Sequence, residues 1–397
     1  MNDRDARRAV WVMLGVLLAA AAGAGLQGYA LHHDNNFLIF RNAFYNLVAG
    51  RDLYAAYPAV QADRFKYSPT FAFLIGPIAV LPIALGLVLW NALNAAALWA
   101  AITRLLPPRA ALAALMIISL ELFGSVQRAQ SNALVTALVI LAFLAFEAKR
   151  GAGAGAAISL GTMIKIFPVA AATLAIFHPR RARFALALGL SLAALIALPL
   201  VVTTPETLAA QYHSWRAIEQ ADALAGLVPD GGYLIGGVMQ QLRLWAGVRW
   251  PNWPVQLAGT LILLLPLVLR RAHWTDRRFR LRYLASLLIY MVIFNHQAES
   301  PSFVVAMTGV SIWYVLSRRG AVDNVLLAFA LLLVSIAPSS LTPHDIRVGM
   351  VLHYGMKSIP CIVIWFVLQT EMLGLRRVSE PAEVGQLEAA ERVAHGR

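Results

Sequence analysis

The chain has one cysteine, Cys361, among its 397 residues. That excludes an internal disulfide and any metal cluster built on thiolates. Charge is scarce as well. Asp, Glu, Lys and Arg make up 13% of the chain, against about a quarter in an ordinary soluble domain. Acids are the scarcer sign, 20 against 33 Lys and Arg, leaving a formal net charge of +13. A basic excess can mark a nucleic-acid surface, but the chain has no Lys/Arg stripe with interleaved aromatics. Its basic residues fall in short clusters between apolar runs: "RDARR" at the start, Arg104 and Arg109, Lys149 and Arg150, "PRRAR" (179–183), "RRAHWTDRRFRLR" (270–282), and Arg318 with Arg319. The positive-inside rule produces this pattern at the cytoplasmic ends of membrane helices.

What abounds is apolar sequence, 59% of the chain, in blocks of about 15–22 residues that suit a bilayer-spanning helix. The expected fold is an all-α, polytopic integral membrane protein with about 10–12 transmembrane or re-entrant helices. One transmembrane domain is expected over 1–375 and a polar cytoplasmic tail over 376–397. The first block, Val10 to Leu31, lacks a cleavage-like region and reads as a retained helix. With every basic cluster in the cytoplasm, 32–68 and 204–232 become outer loops. Residues 69–82 are too short to span and end in Pro82, so they read as re-entrant or interfacial. Spans are expected at 84–106, 109–125, 131–147, 184–203, 254–270, 281–294, 302–317, 322–337 and 349–372. Residues 151–177 start and finish inside, as two half-helices bent at Lys165–Pro168, because proline interrupts the helical hydrogen-bond ladder. "GAGAGA" (151–156) reads as close helix packing by small residues; no strand precedes it and no Gly-Lys-Ser/Thr follows, so it is no phosphate loop.

On this path the remaining polar knots gather on one face: "HHDNN" (32–36), "DRFKYSP" (63–69), "QRAQSN" (127–132), Lys165, "QYHSWRAIEQAD" (211–222), "NHQAESP" (295–301) and "PSSLTPHDIR" (338–347). Ionisable groups at membrane depth are costly and mark functional candidates. No inverted repeat is visible, which weakens a transporter reading.

Several of these stretches resemble glycosyltransferase family 87, polytopic enzymes that use polyprenyl-phosphate sugars. "NNFLIFRNAFYNLVAGRDLYAAYP", "FKYSPTFAFLIGPIAVLP" and "LVLWNALNAAAL" resemble its Asp-Phe-x-x-Tyr, Gly-x-x-x-Tyr and Tyr-Pro-Pro region. "AQSN" (129–132) resembles its Gly-Gln-x-Asn, and "KIFP" (165–168) its Lys-x-x-Pro. The resemblance implies a GT-C architecture in a bacterial inner membrane, with the active site on the periplasmic face. It implies transfer of a hexose, such as mannose, from a polyprenyl-phosphate donor to a lipid or glycan acceptor. The chain departs from the pattern at Asn36, where the family has its acid, and at Ser68, which replaces the first proline. A flippase of lipid-linked sugars and an inactive sugar-lipid-binding relative are the rival readings.

Such a transfer needs a base, cationic groups for the departing phosphate, and a pocket for the sugar. Asn36 cannot serve as base, so the candidates are Asp34 and Glu299, with His296 three residues before Glu299. The plain alternatives are helix-end carboxylates and a loop histidine. Lys165 is the sharpest phosphate candidate, since a lysine in an apolar hairpin is expensive unless it snorkels. Arg41, Lys66, Arg128 and Arg347 are further cations that can also be ordinary helix-end charges. Gln130 and Asn132 suit sugar hydroxyls or a helix cap. Tyr67, Trp215 and Tyr233 suit a sugar face or the aromatic belt. "HHD" (32–34) is a poor metal site because adjacent residues rarely ligate one ion together. No metal or cofactor is expected, and no nucleotide site is visible.

Overall fold

A computed structural model describes residues 2–225, 237–316, 319–339 and 341–376. The protein is an all-α polytopic membrane protein, with no strand among the described residues. Its contacts divide into two compact units. One comprises Met1–Leu115 with Ser119–Gly232, and the other Met116–Ile118 with Tyr233–Arg397.

The first unit begins with α1 (Asp3–Ala30), α2 (Asn35–Val48) and the short α3 (Pro69–Leu74) and α4 (Gly76–Ala79). Then come α5 (Ile83–Leu105), α6 (Pro108–Gln127), α7 (Asn132–Glu147) and α8 (Gly151–Ile164). A 3-10 segment, Phe167–Phe177, precedes α9 (Arg181–Ala197) and α10 (Pro205–Ala225). The second unit holds α11 (Val238–Ala246), α12 (Asn252–Leu269), α13 (Arg277–Ile293), α14 (Phe303–Val315), α15 (Ala321–Ala330), α16 (His344–Ile346) and α17 (Ile359–Met372). Among the described residues, five helices are long and apolar enough to cross a membrane: Asp3–Ala30, Ile83–Leu105, Pro108–Gln127, Arg181–Val201 and Asn252–Leu269. Their outward side chains, such as Trp11, Met116, Leu186, Leu190 and Leu261, are apolar and exposed, which suits lipid and not water.

The break expected near Lys165 is present. Helix α8 ends at Ile164, and Lys165 is extended (φ −143°, ψ 140°). The chain then turns into the 3-10 segment, with Pro168 in its first turn. The small residues of "GAGAGA" pack as expected. A Cβ placed on Gly155 would lie 3.0 Å from the Leu188 backbone nitrogen and 3.2 Å from the Ala187 carbonyl carbon, so α8 lies backbone to backbone against α9. Residues 69–79 form two short helices, neither long enough to span.

Three regions differ from the sequence expectation. Residues 35–48, expected in a loop, form α2, which buries Phe37, Phe40, Ala43 and Leu47 at helical spacing. Residues 205–225, also expected in a loop, form α10, which buries Leu208, Gln211 and Ile218. Both helices are half polar, so neither stands out as an apolar block; their signal is the periodicity of one buried face. The span expected at 349–372 begins only at Ile359. Gly355 is left-handed (φ 61°), and Pro360 sits in the first turn of α17. A left-handed residue stops one helix, and proline is tolerated only where the next begins.

The α8–α9 contact carries a stability prediction. Gly155→Ala should cost about 1–3 kcal/mol, because backbone rather than a flexible side chain must give way. Gly153→Ala should be neutral or slightly stabilising, since a Cβ there meets only the Ala145 Cβ, at 3.8 Å. Melting curves of the two variants in the same lipid test the difference.

Candidate functional site

The site is built on the turn that joins α6 to α7. Ala129 is left-handed there (φ 49°), a conformation that strains any residue with a Cβ. This is the position where the resemblance has glycine. Helix α5 holds the turn from behind. The Trp90 indole donates to the Ala129 carbonyl at 2.8 Å, and the Asn94 amide oxygen accepts from the Leu134 N–H at 3.0 Å. Helix α2 holds it from the side, where the Asn36 amide donates to the Arg128 carbonyl at 2.8 Å. Asn36 therefore fixes backbone, at the position where the resemblance expects an acid.

The turn presents Gln130 to two donors. The Tyr67 hydroxyl reaches its amide oxygen at 3.2 Å and the Lys165 ammonium at 3.4 Å. The same ammonium lies 5.6 Å from the centre of the Tyr67 ring, a cation–π distance. Tyr67 is held in turn by an aromatic nest: Phe40 meets it edge-on at 4.9 Å, and Phe71 packs on it at 4.9 Å. Ser68 explains its own presence where the family has proline. Its hydroxyl caps the Phe71 N–H of α3 at 3.1 Å and donates to the Met163 carbonyl at the end of α8, which a proline cannot do.

On the far side of the 66–68 segment lies α10. The Trp215 indole donates to the Lys66 carbonyl at 3.3 Å, and the Lys66 ammonium pairs with Asp222 at 2.7 Å. Beside this pair sits Glu219. Burial, and next the like charge of Asp222, push its carboxyl above the usual carboxylate range, while a Trp215 hydrogen bond and Lys66 pull it partly back. Five of the seven polar knots therefore share the first unit, and direct hydrogen bonds or ion pairs link them. Glu219 was not singled out from the sequence, because a run of polar residues does not reveal which carboxylate its helix half-buries.

The other candidates are placed as follows. Asp34 is buried at the start of α2, and its side chain does not cap that helix. The Arg41 guanidinium donates to the Ala79 carbonyl at 2.8 Å and lies over the Tyr45 ring at 5.3 Å. Arg128 is exposed at the end of α6. His296, Glu299 and Arg347 belong to the second unit. His296 is half-buried in a tight turn, where the Asn295 side chain accepts from the Gln297 N–H at 3.0 Å. This turn is not helical, so it supplies no shared helical face for His296 and Glu299. Glu299 is exposed and extended, and does not cap the turn that follows. Its neighbour Ser300 accepts from Lys357 at 2.9 Å, a buried lysine that sequence reasoning missed. Arg347 opens a π-helical turn, and Tyr233 lies outside the described residues. Among the described residues no group of three or more His, Cys, Asp or Glu is placed to hold a metal ion.

Fold and site together define a polytopic membrane protein with a connected polar cluster set among apolar helices. The model of glycosyltransferase family 87 matches residues 65–295, more than half of the chain. The chain belongs to that family and is a membrane glycosyltransferase. No curated protein matches it. The matched region contains Lys66, Tyr67, Arg128, Gln130, Asn132, Lys165 and Glu219, whereas Asp34, Asn36, Arg41, His296, Glu299 and Arg347 lie outside it.

Glu219 gives a pH-dependent prediction. A carboxyl whose folded pKa is raised costs stability where it is ionised; that cost is absent below about pH 4.3, the ordinary Glu value, and complete above the raised value. Glu219→Gln should therefore raise the melting temperature at pH 8 and leave it unchanged near pH 4. A lower melting temperature at pH 8 would contradict this.

Proposed function

We propose that the protein transfers a hexose, with mannose the first to test, from a polyprenyl-phosphate donor to a lipid or glycan acceptor. The observation that carries this reading is the Lys165 ammonium at the break after α8, held between Tyr67 and Gln130 within the matched region. A lysine placed at a helix break among apolar helices suits a phosphate presented from the lipid phase. In the reaction the acceptor oxygen attacks the anomeric carbon, and the bond from that carbon to the phosphate oxygen breaks. The electron pair leaves on the phosphate, where Lys165 offsets the charge. The acceptor's proton passes to a carboxylate. Asp34, buried two residues before Asn36, is that group in the first unit, and Glu299, with His296 nearby, is its counterpart in the second. Lys66, Tyr67, Arg128, Gln130 and Asn132 line the donor side, Arg41 steadies α2, and Arg347 is a further cation for the acceptor. The architecture is of GT-C type, in a bacterial inner membrane, with catalysis at the periplasmic face.

The test is sugar transfer by the purified protein in lipid, with a labelled polyprenyl-phosphate hexose. Transfer by the wild type is expected. Movement of the donor between leaflets without transfer would instead make the protein a flippase. Lys165→Ala should weaken donor binding at least about tenfold, the loss of one charge-assisted hydrogen bond; unchanged affinity would make Lys165 structural. Asp34→Asn or Glu299→Gln should abolish transfer while keeping donor binding. Normal turnover by both would remove the assignment of the base.

A further inference from the structure

Lys165 follows one end of α8; the other end, at Gly151, has no part in the site above. The helix opens there without a side-chain cap from Arg150. The first of its N–H groups with a partner is that of Ala154, which donates to the Arg150 carbonyl at 3.1 Å. Those of Gly151, Ala152 and Gly153 have none among the described residues. Close packing accounts for Gly155, but Gly151 faces the ring of His178. A Cβ placed on Gly151 would lie 3.4 Å from the His178 Cε1 and 3.7 Å from its Nε2.

His178 is 4% exposed, and its Nε2 has no hydrogen-bond partner among the described residues. The Arg180 N–H donates to its Nδ1 at 3.1 Å, so the neutral ring carries its proton on Nε2. Phe146 packs on the ring with centroids 5.8 Å apart, but brings no lone pair to that proton. A buried donor without an acceptor is rare and calls for a cause. This one lies against a helix start whose own donors are open and whose dipole end is positive, and both select an anion. The flanking sequence adds cations. Lys149 and Arg150 precede Gly151, and Arg180, Arg181 and Arg183 follow His178, all of them exposed. Arg181 also donates to the Ile176 carbonyl at 2.7 Å. Glu147 is the one acid in 144–184. From this cluster α9 leads away with Leu186 and Leu190 exposed, a surface that suits lipid. The positive-inside rule assigns a basic end of this kind to the cytoplasmic side of the membrane.

We propose that the opening of α8 binds the phosphate of an anionic lipid headgroup. The first N–H groups of the helix and the His178 Nε2–H are the donors, and Lys149, Arg150 and Arg180 supply the counter-charge. Nε2 is covered in the free protein, and the exposed Lys149 and Arg150 side chains swing aside as the phosphate enters. The glycine-rich start of α8 is thus an anion seat without being a nucleotide loop. The 14 residues of α8 put this seat roughly 20 Å from Lys165. It is separate from the transfer site, and stands whichever sugar or carrier the enzyme uses.

The experiment is a thermal-shift titration of the full chain in neutral detergent with phosphatidylglycerol, phosphatidylcholine and inorganic phosphate. Phosphatidylglycerol should raise the wild-type melting temperature, and the other two should not. Two substitutions at His178 separate binding from folding. His178→Asn keeps an acceptor for the Arg180 N–H but removes the outer donor, and should weaken phosphatidylglycerol binding at least about tenfold. His178→Gln puts a donor where Nε2 stands, and should bind close to the wild type even if it melts lower. Equal loss in both variants, or no loss in His178→Asn, would overturn the proposal, since the ring would then be structural or its partner a buried water. Equal stabilisation by phosphatidylcholine would reduce the effect to ordinary lipid solvation. Equal stabilisation by inorganic phosphate alone would make the occupant a soluble anion. Either result overturns the anionic lipid.

Discussion

An ammonium at the end of an apolar helix needs oxygens or ring faces around it, because neither lipid nor a hydrocarbon core compensates its charge. Lys165 is in that position, and much of the first unit can be traced from the way it is met. Pro168 ends the regular ladder and turns the chain just where the lysine emerges. Tyr67 supplies both a ring face and a route to Gln130, which accepts from tyrosine and lysine alike. Gln130 stands in place because Ala129 adopts a left-handed conformation and α5 holds both ends of the turn. The 66–68 segment then ties this turn to the end of α8 through Ser68 and to α10 through Lys66.

The departures from the family pattern have structural reasons. Where the resemblance expects an acid, the Asn36 amide holds the Arg128 carbonyl, a bond that an ionised carboxylate cannot donate. Ser68 replaces a proline and gains a hydroxyl that joins α3 to α8. In both places a group that could act on a substrate, or a rigid turn residue, has become a hydrogen-bond donor to backbone.

Much of this was legible in the sequence wherever the signal was a long apolar run or a costly exception within one. The apolar helices from α5 to α9, the break at Lys165 and the small-residue packing of α8 are of that kind. Tyr67, Gln130 and Lys165, named separately from motif and cost, meet in one cluster. The rest was obscured for identifiable reasons. Helices α2 and α10 are half polar, so hydropathy hides them and only the spacing of Phe37, Phe40 and Leu47, or of Leu208, Gln211 and Ile218, reveals them. Lys357 falls inside the span expected at 349–372 and was not singled out there, though it lies in the turn before α17, buried against Ser300. Glu219 is one of several polar residues in a row, and its burial is a tertiary fact.

The most direct test of the account is a structure of the protein in lipid with a polyprenyl-phosphate hexose bound. The account predicts phosphate oxygens within about 3 Å of the Lys165 ammonium. A phosphate bound elsewhere, with the Lys165 ammonium still against Gln130 and Tyr67 as in the free protein, would contradict it.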